Sequence, residues 1–189
     1  MTADSVLDLF RRVGALLEGH FRLTSGLHSP GYLQCALVLQ YPREAEMCGA
    51  AIADRVRGLG VHAVLSPALG GIVIGQEVAR ALGVRAIFAE RQDGALTLRR
   101  GFTLDSGEKV LVVEDVLTTG GSTKETIEVA RAAGAEVVAA ASIIDRSGGQ
   151  RAIDVPYHAL ATVDLPTYDP TQCPLCARGT PVTKPGSRA

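Results

Sequence analysis

Tryptophan is absent from this 189-residue chain, and with four Phe and four Tyr its interior must be filled mainly by aliphatic side chains. Long apolar runs are missing too, since no segment approaches the roughly 18 continuous apolar residues of a membrane span. The opening MTADSVLDLFRR carries acids ahead of its basic residues and holds no apolar stretch, so it reads as neither a signal peptide nor an anchor. A cytoplasmic protein is expected. Charge of one sign is also lacking: 19 Lys and Arg against 20 Asp and Glu leave a formal net charge of −1. No global field then holds the chain to nucleic acid or to an anionic membrane, and any bound anion must be gripped locally. Cysteine is sparse, with Cys35, Cys48, Cys173 and Cys176 expected as reduced thiols rather than a disulfide framework.

What is present is Ala, Val and Leu in a 47% hydrophobic composition, enough for one core in one domain spanning 1–189. The segments LLEGH, VHAVLSP, VRAIFAE, KVLVVED and EVVAAASIID alternate with Gly-bounded helical stretches, which reads as an α/β fold with a mainly parallel sheet. Residues 4–18 place Val6, Leu9, Phe10, Val13, Leu16 and Leu17 at helical spacing, with Asp4 or Ser5 to cap the start. Turn formers among short apolar pieces make 21–41 an irregular flap with one or two strands, completing an N-terminal unit of 1–41. In the core, 42–165, helices are expected near 42–57, 72–82 and 121–133, and strands near 61–66, 84–89, 109–114, 136–144 and 157–163. Between them, 90–107 is polar but alternates in ALTLRRGF, suiting a mobile β-hairpin. The Pro-containing tail 166–189 is expected to be irregular and to fray.

The stretch VVEDVLTTGGS, residues 112–122, carries the most chemistry. KVLVVE reads as a central strand buried on both faces, and ligands of open parallel sheets bind outside the carboxyl ends of such strands. Glu114 and Asp115 lie there. Two carboxylates at such a place can accept hydrogen bonds from a vicinal diol or hold a metal-bound water. The following turn, Thr118 to Ser122, offers backbone amides and hydroxyls at a helix start, where the dipole also favours an anion. A lone acid pair or a lone TTGG is more simply a solvated strand end and an ordinary cap; the ordered combination is far more specific.

VLVVEDVLTTGGST resembles the phosphoribosyl pyrophosphate (PRPP) motif of the type I phosphoribosyltransferases. Three more stretches, FRLTSGLHSPGYLQ, SPALGGIVIG and IIDRSGG, are similar to the orotate phosphoribosyltransferases, and the likeness spans nearly the whole chain. The resemblance implies the type I phosphoribosyltransferase fold with a small N-terminal hood, Mg²⁺ carried on the substrate, a homodimer, and no nucleic-acid or membrane partner. It implies Glu114, Asp115, Val116, Leu117, Thr118, Thr119, Gly120, Gly121, Ser122, Leu69, Gly70 and Arg91 at PRPP. It also implies Thr118, Arg146 and the backbone near Tyr32 and Leu33 at orotate, a planar carboxylate that an arginine fork suits. Taken alone, Arg146 would instead be read as a surface partner of Asp145.

Departures from the family pattern are Thr24 and Gly70, where many members carry Lys, and the loop ERQDGALTLRRGF, which lacks the usual Lys and His. Arg91, Arg99 and Arg100 are the cations available there, Arg91 being closest in register. Arginine is a poor proton donor, so this loop is expected to act by electrostatic stabilisation. Cys173 and Cys176 have the C-x₂-C spacing of half a zinc knuckle, but Cys35 and Cys48, thirteen positions apart, supply no matching pair. Two reduced thiols in a tail turn are expected. His20, His28, His62 and His158 are scattered, with His62 and His158 read as structural.

Overall fold

The computed structural model describes residues 1–23 and 25–184. Helix α1 (Ala3–Arg12) starts one position earlier than expected because Thr2 is its cap, the Thr2 hydroxyl accepting from the Ser5 amide at 3.3 Å. It also ends early. Gly14 takes φ 70°, and the Ala15 amide donates back to the Phe10 carbonyl at 2.8 Å, the turn that glycine makes at helix ends. Leu16 and Leu17 therefore open strand β1 (Leu16–Arg22), which pairs antiparallel with β2 (His28–Leu33) in a separate two-stranded sheet. LLEGH thus belongs to the hood and not to the central sheet.

Next come α2 (Ala36–Leu39), α3 (Pro42–Val56), β3 (Ala63–Pro67), α4 (Gly70–Leu82), β4 (Arg85–Gln92) and β5 (Ala95–Leu98). They are followed by β6 (Lys109–Leu117), α5 (Gly121–Ala132), β7 (Glu136–Asp145), β8 (Tyr157–Thr162) and α6 (Pro174–Ala177). The main sheet has six strands in the order β5-β4-β3-β6-β7-β8, every pairing parallel except β4 with β5. The expected hairpin is this β4–β5 pair, turned by Asp93 at φ 51° and Gly94 at φ 89°, the positive pair that two-residue hairpin turns demand.

Val110 to Val113 of β6 are fully buried, Leu111 and Val113 facing the α3–α4 side and Val110 and Val112 the α5 side. This strand runs past 114 because its pairing with β7 continues to Leu117 opposite Asp145. Its pairing with β3 stops at Leu65 opposite Val112. From the β3–β6 pair the connections run outward in opposite directions, which opens a crevice at the carboxyl ends of these two strands.

Helices α3 and α4 cross closely at Gly49, where an added Cβ would lie 2.5 Å from the Glu77 Cβ and 2.7 Å from its carbonyl carbon. Gly49→Ala is expected to lower stability by about 1–2 kcal/mol, the overpacking exceeding the gain in helix propensity. A shift of the urea midpoint to lower concentration at unchanged slope checks this.

The tail is irregular as expected, with only the single turn of α6, a short 3₁₀ turn and isolated bridges, but its described part is docked. Residues 166–184 lie along the hood: the His28 amide donates to the Tyr168 carbonyl at 2.9 Å, the Tyr168 amide returns to the His28 carbonyl at 2.8 Å, and Thr183 exchanges amide bonds with His20 and Arg22. Cys173 is buried. Proline content hid this because the pairing is with a distant strand pair, whose two outer edges each accept the tail by a single bridge.

Candidate active site

The crevice is built first by close approach of backbone to carboxylate. A Cβ on Gly70 would fall 2.9 and 3.0 Å from the two Asp115 carboxylate oxygens, so the turn from β3 into α4 reaches Asp115 only with glycine there. Gly71 is as confined, with the Val113 carbonyl 2.9 Å from its ideal Cβ. Leu69, Gly70 and Asp115 line a cavity of about 400 Å³ together with Gln34, Gln40 and Val73.

The two acids are differently placed. Glu114 accepts from the Ser122 hydroxyl at 2.7 Å and from the Thr123 hydroxyl, so its carboxylate braces the start of α5. Ser122, expected to offer its hydroxyl to a bound anion, gives it to Glu114 in this arrangement. Asp115 accepts from the Val116 amide at 2.9 Å, and its other carboxylate oxygen bonds no residue among the described residues. Burial and the neighbouring Glu114 charge push the Asp115 carboxyl up to about 6, and burial raises Glu114 against the pull of its two hydroxyl donors. Downstream, Thr118 and Thr119 are exposed, Gly120 turns at φ 83°, and no side chain caps α5. Its first-turn amides and the positive end of its dipole face the crevice mouth.

Arg146 follows β7, its amide donating to the Leu117 carbonyl at 2.7 Å. With Thr118, Thr119, Gln150, Leu165 and Thr167 it lines a second cavity of about 490 Å³. Asp145 is not its partner, for that carboxylate takes the Arg151 guanidinium at 2.9 Å and the Ser147 amide at 2.8 Å. The Arg146 Nε is buried without any hydrogen bond, and desolvation lowers the guanidinium's affinity for its proton. Tyr32 sits on β2 within electrostatic reach of Arg146, while Leu33 turns its side chain into the core.

None of the three loop arginines lines either cavity. Arg91 pairs with Glu125 of α5 at 2.8 Å, and Arg100 pairs with Glu90 at 2.7 Å and lies over the Phe88 ring. Arg99 makes no salt bridge among the described residues. Thr24 lies outside the described residues.

Some site neighbours carried no sequence signal. Cys35 sits against the backbone of Asp115, Sγ to carbonyl 3.6 Å, with its thiol pushed well above the ordinary range by burial. Leu165 and Thr167 reach the Arg146 cavity from the start of the tail. A signal for the four residues His20, His28, Cys173 and Cys176 was half visible in the C-x₂-C spacing; the structure brings them together at the back of the hood.

The phosphoribosyl transferase domain family matches residues 38–166, which hold all the strands of the main sheet. Over the full length, the chain is 52% identical to the orotate phosphoribosyltransferase of Desulforamulus reducens over 188 residues, covering 100% of this chain and 98% of that one. It is 54% identical to that of Heliobacterium modesticaldum over 190 residues, covering 100% of both. The chain belongs to the orotate phosphoribosyltransferases. Their fold is seen again in the crystal structure of the Aeropyrum pernix orotate phosphoribosyltransferase, which has a TM-score of 0.68 at 27% identity, covering 84% of this chain and 93% of that one. The Mycobacterium tuberculosis enzyme in complex with Fe(III) dicitrate gives 0.71 at 23% identity over 84% and 95%, a likeness of fold. This member of the orotate phosphoribosyltransferases is accordingly a pentosyltransferase with a mostly parallel central sheet flanked by helices. No helix among its described residues is long and apolar enough to cross a membrane.

Proposed function

We propose that this chain transfers the 5-phosphoribosyl group of PRPP to orotate in pyrimidine synthesis, giving orotidine 5′-monophosphate and pyrophosphate, as a cytoplasmic homodimer that uses Mg²⁺. The observation that carries the acceptor is Arg146, a half-buried guanidinium whose buried Nε has no partner and which faces a cavity with Thr118. A partly desolvated arginine with an unpartnered Nε is costly, and a planar carboxylate that accepts its fork repays that cost. Orotate has such a group.

The donor fits around the carboxyl end of β6. The α5 start, with uncapped amides and a positive dipole end, suits the 5-phosphate, and Asp115 suits the ribose diol. Glu114 acts through Ser122 and Thr123, holding the phosphate turn against the strand. Backbone at Leu69 and Gly70 approaches the pyrophosphate. The C1′–O bond then breaks through a cationic ribosyl state, its charge faced by Asp115, while the orotate nitrogen attacks from the opposite side.

Mg²⁺ fits these residues only in company with substrate. Among the described residues Asp115 is the one carboxylate lining the 400 Å³ cavity, and Glu114 is engaged by hydroxyls, so these residues offer too few oxygens for a six-coordinate cage. Bound through PRPP oxygens and water, the ion would carry leaving-group charge.

The β4–β5 hairpin is suited to exclude water and to lend an arginine to the pyrophosphate, in this proposal across the dimer. Arg91 and Arg100 would first have to leave Glu125 and Glu90, whereas Arg99 has no ion pair to break among the described residues. Arg99→Ala is expected to lower kcat about 10- to 100-fold, the worth of one charge-assisted hydrogen bond. Steady-state rates equal to those of the unaltered protein would remove Arg99 from the mechanism and return the role to Arg91.

The deciding test is loss of orotate absorbance on mixing the purified protein with PRPP and Mg²⁺. Consumption that needs all three components supports the reading; a folded protein that consumes no orotate but turns over a purine base overturns it.

A further inference from the structure

Behind the hood, four side chains from three parts of the chain converge. His20 comes from β1, His28 from the start of β2, and Cys173 and Cys176 flank the single turn of α6. Their ligand atoms all lie within 4.8 Å of one another. Individual separations are 2.9 Å for His20 Nε2 to His28 Nδ1, 3.5 Å for Cys173 Sγ to His20 Nε2, and 3.7 and 3.3 Å for Cys176 Sγ to the same two nitrogens. A tetrahedral ion with metal–nitrogen bonds of about 2.0–2.1 Å and metal–sulfur bonds of about 2.3 Å needs donors about 3.3–3.8 Å apart. Four of the six separations, 2.9–3.7 Å, lie close to that spacing, and the others are within 4.8 Å, so small shifts close the set around an ion.

We propose that His20, His28, Cys173 and Cys176 form a structural zinc site that fastens the tail to the hood. Two imidazoles and two cysteine sulfurs in tetrahedral array select zinc over the oxygen-seeking cations, and a closed set of four protein donors marks a structural rather than a catalytic ion. Outer contacts have the form expected around zinc ligands. His20 Nδ1 lies 2.8 Å from the Thr180 carbonyl, which must accept, so the proton sits on Nδ1 and Nε2 is left with its lone pair toward the cluster. The Asp169 carboxylate holds the Thr171 amide at 2.9 Å and so fixes the turn that delivers Cys173.

The surroundings ask for such a fastening. His20, His28 and Cys173 are buried while Cys176 stays exposed, and in this part of the hood the tail is held by a few backbone bonds with little apolar packing. Without an ion the cluster buries two imidazoles and a thiol against one another, with one good hydrogen bond between the rings. With one, every donor is used. The cluster is joined to the Arg146 cavity along the chain: Leu27, next to His28, lines that cavity, and so does Thr167, next to the Tyr168 that pairs with His28. Binding zinc would thus hold one wall of that cavity in place.

The test is metal content, independent of turnover. Full-length protein, produced with zinc in the medium and purified without chelator, is expected to hold about one zinc per chain, released by a mercurial that blocks thiols. Cobalt(II) exchanged into it should give thiolate-to-cobalt charge-transfer and tetrahedral ligand-field bands. Cys176→Ser, the substitution at the exposed corner, is expected to weaken zinc at least about tenfold, since losing even an outer partner of a zinc ligand costs about 10–100-fold. Cys48→Ala should keep the full complement. The proposal is overturned by wild-type protein that carries no zinc and takes up no cobalt, by iron as the bound metal, by a Cys173–Cys176 disulfide in its place, or by a folded Cys176→Ser variant with undiminished affinity.

Discussion

Arg146→Lys is expected to lower kcat/KM for orotate about 100- to 1000-fold while leaving the dissociation constant for PRPP within about twofold, on the proposed reading of the acceptor site. The charge is conserved in this substitution, so the effect isolates geometry. A guanidinium presents parallel N–H groups in a plane that matches a carboxylate, and an ammonium on a flexible stem does not. The loss corresponds to about 3–4 kcal/mol, within the range for breaking a desolvated charge pair, since the hydroxyls and amide that line the cavity carry no charge to replace the fork. Arg146 has no protein partner at Nε and its neighbour Asp145 is committed to Arg151, so nothing in the chain is released to compensate. A second consequence concerns the free protein. A partly desolvated cation whose buried Nε has no partner opposes folding, so Arg146→Met should modestly raise the thermal midpoint of the ligand-free protein while abolishing orotate turnover. A lysine variant with wild-type kcat/KM for orotate would remove Arg146 from the acceptor site.

Asp115→Asn is expected to do the converse of an ordinary core lesion, stabilising the ligand-free protein at neutral pH and lowering turnover about 100-fold or more. Its carboxyl, ordinarily at 3.8, is pushed up to about 6 by burial and by Glu114. The sign follows from proton linkage. Between 3.8 and about 6 the folded chain holds a proton that the unfolded chain has released, so stability falls as pH rises through that window and the whole cost is present above about 6. Asparagine carries no such cost, and the gain, on the order of 1–3 kcal/mol, should be absent below the lower limit. Catalysis pulls the other way. A diol needs an ionised acceptor, so the wild-type kcat/KM for PRPP should decline on the acid side of about 6. Denaturant melts at two pH values and a pH–rate profile read both effects. An Asn variant less stable than wild type at neutral pH, or an acid limb that stays far below 6, would contradict this account.

The sequence carried the sheet well because its signals there are local. Val110 to Val113 are apolar and mostly β-branched, and so dense that only a strand covered on both faces accommodates them, and Gly70–Gly71 marks a turn wherever it falls. Errors arose where a distant contact decides. Leu16 and Leu17 kept helical spacing, yet Gly14 ended the helix and the two leucines were claimed by β2. The acid pair looked equivalent in sequence; only the path of the 118–121 turn assigns Glu114 to Ser122 and Thr123 and leaves Asp115 facing Gly70. Whether Arg146 pairs with Asp145 or is left for the cavity depended on Arg151, five residues on, reaching back to Asp145. His20 and Cys173 are separated by 153 positions, a span over which spacing conveys nothing.

Strand β6 places Asp115 on one cavity and Thr118, just past its end, on the other. Three extended residues span about 10 Å, so on the proposed reading one inextensible backbone, pinned by β7 along its length, serves as the ruler between the two reactants. Alignment of donor with acceptor is then inherited from the stiffest part of the molecule, and breathing of the hood or hairpin alters how often the reactants meet without altering the distance at which they are held.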